Sequence, residues 1–467
     1  MTKLKKESKE FIFSAEKRSL REYLLWLFLM VFTGLSLWTV AAGKDILVQK
    51  ISGSLYGKIF VYSFLFSVCY FLFLLVSTFF CRRWKIVYDG DELPECTVLV
   101  PAYNEGRHVA ETVKSILESD YPAEKFRVIA INDGSVDDTL YWLKKVQKKF
   151  PQLTVIDLKE NQGKKHALYQ GITVSKSDFF VTVDSDSILK KDTLYKILQP
   201  FADEKVGAVA GFIAGKSDVR NCHVRMLDVM LVFGCEFLRR AQSVYGNVFC
   251  TPGALSAYRR SAVMPILDQW LNQTFCGREA RIGEDRAIAT LLLRSGCKIV
   301  HQYEAQAFTC LPSNYRGVCK MLLRWTRSDI RENILMTPFV LKNLTVFSMR
   351  SVNLFIHWLM LSVNMLLPAA VVPLSIYGLY SGEYSFFHLP VLFLLTVLWS
   401  VIPAAVYFRQ CRSLPLTVWA FLSGFYNLTG LAWIPFYSML TVNNSKWLTR
   451  EVKKNVSADR QPNEKIL

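Results

Sequence analysis

Apolar residues are unevenly spread along this chain. They gather into two groups of long uncharged runs, and between those groups they fall into short β-branched bursts separated by helical spacings. Tyr23 to Gly43, Ile59 to Phe80, Val352 to Tyr380, Leu389 to Phe408 and Pro415 to Val442 each lack Asp, Glu, Lys and Arg. A helix crosses a bilayer with about 20 apolar residues, so each run predicts a membrane segment. The first is too long for the apolar stretch of a signal peptide, and a second follows closely.

The middle of the chain has a different rhythm. Thr97 to Val100, Val128 to Ile131, Val155 to Leu158, Phe179 to Val183 and Val206 to Ala210 read as strands. Helical patterns lie between them; in Arg107 to Glu118 the apolar positions Val109, Val113, Ile116 and Leu117 share one face. Alternating strands and helices imply a mainly parallel sheet covered by helices, a Rossmann-like α/β domain inserted between membrane helices.

Charge orients this plan. Lys3, Lys5, Lys6, Lys9, Lys17, Arg18 and Arg21 precede the first run, and Arg82, Arg83 and Lys85 follow the second, so both flanks and the intervening domain are expected on the cytoplasmic side. The expected division is a basic tail (1–22), two transmembrane helices (23–81), a globular domain (82–328), an interfacial helical segment (329–350), about three membrane segments (351–442) and a tail (443–467). Five spans starting inside would put Lys446 to Lys465 outside, against the positive-inside tendency. One segment is therefore expected to be re-entrant or interfacial, and Pro368 with Pro373 points to Val352–Tyr380.

The net charge of +17 does not point to nucleic acid, because no zinc-finger spacing or RNA-binding aromatic signature accompanies it. Lipid headgroups and an anionic substrate fit it better. The 11 cysteines form no C-x-x-C pair, so neither a disulfide framework nor a zinc site is expected. A coupled-ion transporter is disfavoured by the absence of charge within the apolar runs.

Ligands of open α/β sheets bind at the carboxyl edge of the strands, and polar clusters follow each predicted strand. Tyr103-Asn104-Glu105 follows the first and Asn132-Asp133-Gly134 the second, although the latter is also an ordinary turn composition. After the third, Gly163-Lys164-Lys165 opens a helix whose amides and cations suit phosphate.

The fourth strand delivers Asp184-Ser185-Asp186. Two carboxylates this close are costly without a cation, and Mg²⁺ or Mn²⁺ takes carboxylate oxygens together with substrate phosphates; a solvated loop or helix cap is the other reading. Gly283-Glu284-Asp285-Arg286 places paired acids at a helix start, as a general base or as simple partners of the helix dipole. Arg324-Trp325 offers a diphosphate clamp and a sugar-stacking ring, or a basic aromatic membrane interface.

The order of these motifs between two sets of apolar runs resembles the processive family-two glycosyltransferases, with hyaluronan synthases and rhizobial chitooligosaccharide synthases looking most similar. The resemblance implies that Tyr103, Asn104, Glu105, Asp133, Lys164, Asp184, Arg324 and Trp325 bind a UDP-sugar, and that Asp184 and Asp186 hold a metal. It implies Asp285, beside Glu284, as catalytic base. The segment from Cys250 to Arg259, with Cys250, Gly253 and Trp325, would meet the growing glycan acceptor.

Two positions depart from the family pattern: Met321 stands where the family has Gln, and Leu448 stands for Gly in the similar segment Asn443 to Arg450. The implied protein is an integral membrane enzyme that contacts lipids and makes a β-linked polysaccharide from UDP-N-acetylglucosamine. The hyaluronan branch is preferred to a chitooligosaccharide or poly-N-acetylglucosamine product, and transfer to a polyprenyl phosphate is the further alternative. Arg259, Arg260, Arg278 and Arg281 are the candidate cations for an acidic second sugar.

Overall fold

In the computed structural model of the chain, residues 13–14, 27, 31, 55–81, 83–216, 221–380, 388–411 and 413–444 are described. Most of the predicted first apolar run and basic tail, and the C-terminal tail from residue 445 on with Trp447–Arg450, lie outside the described residues.

An eight-stranded sheet forms the centre of the described structure. Its strands are β1 (Cys96–Ala102), β2 (Phe126–Asp133), β3 (Leu153–Leu158), β4 (Phe179–Thr182), β5 (Ser187–Leu189), β6 (Val206–Gly215), β7 (Ser256–Arg259) and β8 (Lys298–Thr309). They lie side by side in the order β3-β2-β1-β4-β7-β6-β8-β5. The strands β3, β2, β1 and β4 are mutually parallel, as the βαβ rhythm predicts. The other half is mixed: β7 runs antiparallel to both β4 and β6, and β5 antiparallel to β8.

Successive side chains of a strand face opposite sides of a sheet. Val98 and Val100 of β1 enter a core with Val109, Val113 and Ile116 of the helix α2 (His108–Leu117). Leu99 between them enters the opposite core with Leu168 and Ile172 of the helix α3 (Lys164–Val174). Strands buried on both faces read as continuous apolar runs, which explains their visibility in the sequence.

Helix α4 (Cys222–Phe233) follows β6, and helices α5 (Glu284–Arg294) and α6 (Tyr315–Leu344) complete the site side of the domain. Helix α6 runs unbroken across residue 328, where the expected division placed a boundary. Its buried residues, from Val318 and Leu323 through Ile330 to Met336 and Val340, recur on both sides of that point.

Of the predicted membrane segments, Ile59–Phe80 largely coincides with α1 (Leu55–Phe79), Val352–Tyr380 lies within α7 (Met349–Tyr380), and Leu389–Phe408 within α8 (His388–Cys411). Helix α7 continues through Pro368 and Pro373 rather than breaking there. The segment Pro415–Val442 is not one regular helix. It divides into α9 (Leu414–Tyr426), a π-helical turn over Asn427–Leu431, and α10 (Trp433–Leu440). Among the described residues, no helix is long and apolar enough to cross a membrane.

The fully buried Phe180 of β4 stacks on Tyr258 of β7, with ring centroids 5.0 Å apart. Truncating a buried Phe removes its apolar transfer energy and leaves a cavity. Phe180→Ala is expected to destabilise the domain by about 3–5 kcal/mol, read as a lowered unfolding midpoint in thermal melts.

Candidate active site

The carboxyl ends of β1, β2 and β4 open onto a cleft of about 1510 Å³. Tyr103, Asp133, Lys164, Asp184, Asp186 and Arg324 all line it, so residues more than 200 positions apart in sequence converge as the strand-edge rule requires.

Asp133 closes the turn after β2. Its two carboxylate oxygens accept from the backbone N–H groups of Gln162 and Gly163, each at 2.9 Å. That fixes the start of α3 and with it Lys164. Burial still pushes the Asp133 carboxyl above its ordinary range despite those donors.

Lys164 stands at the junction of the site. Its ammonium lies 2.5 Å from Asp184 Oδ1 and 2.7 Å from Glu284 Oε1. Burial alone would lower its pKa, but Asp184, Glu284 and Asp285 outweigh burial and raise it. Asp186 accepts a hydrogen bond from Thr309 Oγ1 of β8 at 3.2 Å, which anchors the second carboxylate to the far half of the sheet.

Glu284 and Asp285 begin α5 and behave oppositely. Burial raises the Glu284 carboxyl, but Lys164 and Arg324 outweigh it and hold the group below its ordinary range. Burial and the neighbouring Glu284 charge push Asp285 up to about 6, against the pull of Lys164 and Arg324. The half-buried Asp285 takes the Arg286 backbone N–H on Oδ1 at 2.8 Å and faces the Cys250 thiol through Oδ2 at 3.7 Å.

Gly253 joins the two carboxylate groups. A Cβ at this position would lie 2.3 Å from Lys164 Nζ and 3.0 Å from Asp184 Oδ1. Glu284 and Asp285 lie with it around a small adjoining void. The segment leading into Gly253 is tied down by Thr251, which donates to the Asp285 carbonyl at 2.9 Å and accepts from Tyr258 OH at 3.0 Å.

Residues 97–267 match the family Glycosyl transferase family 2. An N-acetylglucosaminyltransferase of Mesorhizobium japonicum is 30% identical over 79% of this chain and 84% of its own length. The chain belongs to glycosyltransferase family 2. A hyaluronan synthase of Streptococcus pyogenes is 29% identical over 76% of this chain and 82% of its own. A mannosyltransferase of Pyrobaculum calidifontis, solved in complex with GDP-Man and Mn²⁺, covers 79% of the chain at 18% identity with a TM-score of 0.51, a likeness of fold.

This family-two transferase is therefore a sugar-transferring enzyme, and its expected site residues fall into three places. Tyr103, Asp133, Lys164, Asp184, Asp186 and Arg324 line the cleft. Asp285, Glu284, Cys250 and Gly253 lie beside it, linked through Lys164. Asn104, Glu105 and Trp325 are not among the lining residues.

Asn104 adopts a positive φ of 51°, donates its N–H to Ser135 Oγ and accepts from Val136 N, so it braces the second turn. Glu105 accepts from Ser185 Oγ, bracing the loop between the two aspartates. Trp325 packs against the apolar cluster that includes Leu323, Leu431 and Ile434. Met321, where the resemblance implied a glutamine, lines the cleft.

Of the candidate arginines, Arg278 and Arg281 line the cleft. Arg259 and Arg260 do not serve it: Arg259 donates to the Phe201 and Val206 carbonyls and Arg260 to that of Ser175. Thr309 escaped sequence reasoning, because it meets the site through a contact with a distant segment, whereas Lys165, expected with Lys164 to suit phosphate, lines the cleft and is buried. Burial lowers the Lys165 pKa to about 8.

Asp186→Asn is expected to abolish transfer and to weaken metal-dependent nucleotide binding, because one of two converging carboxylates is lost. Titration of nucleotide with and without Mn²⁺ checks this, and unchanged metal dependence would show the pair to be a loop feature.

Proposed function

We propose that the transferase uses UDP-N-acetylglucosamine to extend a β-linked glycan by direct inversion, with Asp285 as the base. The observation that carries this reading is the contrast within one pair of acids. Glu284 is held ionised by Lys164, while its neighbour Asp285 is pushed up to about 6, close to the range in which a general base works best.

The acceptor hydroxyl oxygen would attack the anomeric carbon while Asp285 takes its proton. The bond from that carbon to the diphosphate breaks, and the nucleoside diphosphate leaves with the electron pair. Attack opposite the leaving group turns an α-linked donor into a β-linked product.

The donor set suits a divalent metal. Asp184 and Asp186 both face the cleft, and hard cations take two carboxylates together with substrate phosphates. Among the described residues no larger cluster of His, Cys, Asp or Glu stands ready to hold one, so the diphosphate would complete the coordination. When bound, Mg²⁺ or Mn²⁺ supplies neutralisation of the charge developing on the diphosphate. Arg324 and Lys164 add fixed positive charge on the cleft wall.

The donor sugar is supported by relatives named N-acetylglucosaminyltransferase, and a hyaluronan-type product by the relative named hyaluronan synthase. Arg278 and Arg281 on the cleft wall favour the latter, since its second sugar carries a carboxylate. A chitooligosaccharide is the second reading. A membrane setting, with the transferase domain on the cytoplasmic side, is supported by the uncharged runs and by the basic residues flanking them.

Purified protein given UDP-N-acetylglucosamine alone and then with UDP-glucuronic acid separates the products. The expected polymer needs both sugars. Polymer from the first alone, unchanged by the second, would overturn the hyaluronan choice.

Turnover should rise with pH through about 6, because the base is active only after Asp285 has lost its proton. Asp285→Asn should remove that limb and cut turnover by about 10²-fold or more while nucleotide affinity stays. Parallel loss of donor affinity in binding titrations would overturn the assignment.

A further inference from the structure

Helix α6 reaches the site with more than the arginine that lines the cleft. Arg324, Ser328 and Arg331 are spaced four and three residues apart and so share one face of the helix. Arg324 meets the cleft, while Ser328 and Arg331 are buried behind the start of α5.

There they meet Ile282 and Gly283, the two residues preceding the acid pair. Arg331 is 1% exposed and its Nη2 donates to the Ile282 carbonyl. Its Nε donates to Glu332 Oε1 at 3.2 Å, and the same oxygen accepts from Gln273 Nε2 at 2.9 Å. Gly283 has the left-handed φ of 73°, and a Cβ there would lie 2.2 Å from Ser328 Cβ and 3.2 Å from Arg331 Nη2. The backbone ahead of Glu284 is thus pressed directly onto this face.

No charged side chain of the acid pair is needed to explain these contacts. They act on backbone, at the one turn whose dihedrals aim both Glu284 and Asp285. We infer that Ser328 and Arg331 form a positioning surface that seats the Ile282–Gly283 turn and thereby sets the direction of the catalytic carboxylate. Neither residue touches the reacting atoms. Asp133, Asp184 and Asp186 stand at the ends of β2 and β4 rather than on α6, and their link to the acid pair runs through Lys164 to the Glu284 side chain.

This inference rests on Asp285 being the base. A displaced base loses the near-attack geometry that makes proton transfer effective, whereas nucleotide binding on the other wall is left alone. Arg331→Met should lower kcat by about 10- to 100-fold and leave nucleotide affinity within about twofold of wild type. Arg331→Lys, which retains a donor for the Ile282 carbonyl, should recover part of the loss. Ser328→Val, which crowds Gly283, should show the same split between kcat and binding.

Each variant is measured in the full-length purified protein, by initial rates and by nucleotide titration in the presence of Mn²⁺. Unchanged kcat in Arg331→Met, or nucleotide affinity falling in step with kcat, overturns the inference. Should Arg331→Met fail to fold, Ser328→Val decides by the same criteria. Asp285→Asn distinguishes the two layers of argument. If it keeps full turnover, the base assignment fails; if it is inactive while Arg331→Met and Ser328→Val both turn over normally, only the positioning role fails.

Discussion

One ammonium group holds this active site together. Lys164 compensates Asp184 on the cleft wall and Glu284 beside the cleft at the start of α5, two carboxylates from segments distant in sequence. Glu284 is 5% exposed, and an ionised carboxylate so placed is tolerated only with a partner and hydrogen bonds. The requirement propagates outward. Lys164 must project from the first residue of α3, that helix start is pinned by Asp133, and Gly253 must lack a side chain to let the ammonium through. Sheet, turn and glycine all serve the same charge.

The arrangement also divides labour. Charges on the strand-edge wall suit an anionic diphosphate, whereas burial and the neighbouring Glu284 charge raise the proton affinity of Asp285. An ionised Glu284 raises the proton affinity of Asp285 without occupying its carboxylate. Two adjacent acids thus reach different protonation behaviour through one lysine that favours the first of them, the general way in which environment separates paired carboxylates.

Much of this was legible in the sequence. The strands β1, β2, β4 and β6 appear where their apolar runs are, because a strand buried on both faces leaves a continuous signal, and the half-exposed edge strand β3 shows through Val155 and Ile156. The cleft residues Asp133, Lys164, Asp184 and Asp186 follow directly from strand ends. The antiparallel strands β5 and β7 were invisible: Ser187–Leu189 is too short to show a period, and Ser256–Arg259 is as polar as a loop. Asn104, Glu105 and Trp325 have the chemistry of ligand-binding residues, yet their partners Ser135, Ser185 and Leu431 are distant in sequence, and local pattern carries no information about them. Arg331 falls in a stretch expected only to be an interfacial helix, and its partner, the Ile282 carbonyl, is 49 positions away in sequence.

Asn443 and Asn444, beyond α10, line the same cleft as Tyr103 and Asp184. Arg327 of α6 reaches toward that end as well, donating to Thr441 Oγ1 at 2.9 Å through Nη2. A chain is made from its N-terminus, so the strands whose ends line the cleft leave the ribosome long before Asn443 and Asn444 exist. During that interval the acids have been synthesised but the pocket is unfinished. Synthesis order alone therefore keeps a partly made enzyme from presenting a complete cleft, and a chain cut short ahead of residue 443 would carry every acid of the site in an incomplete enclosure.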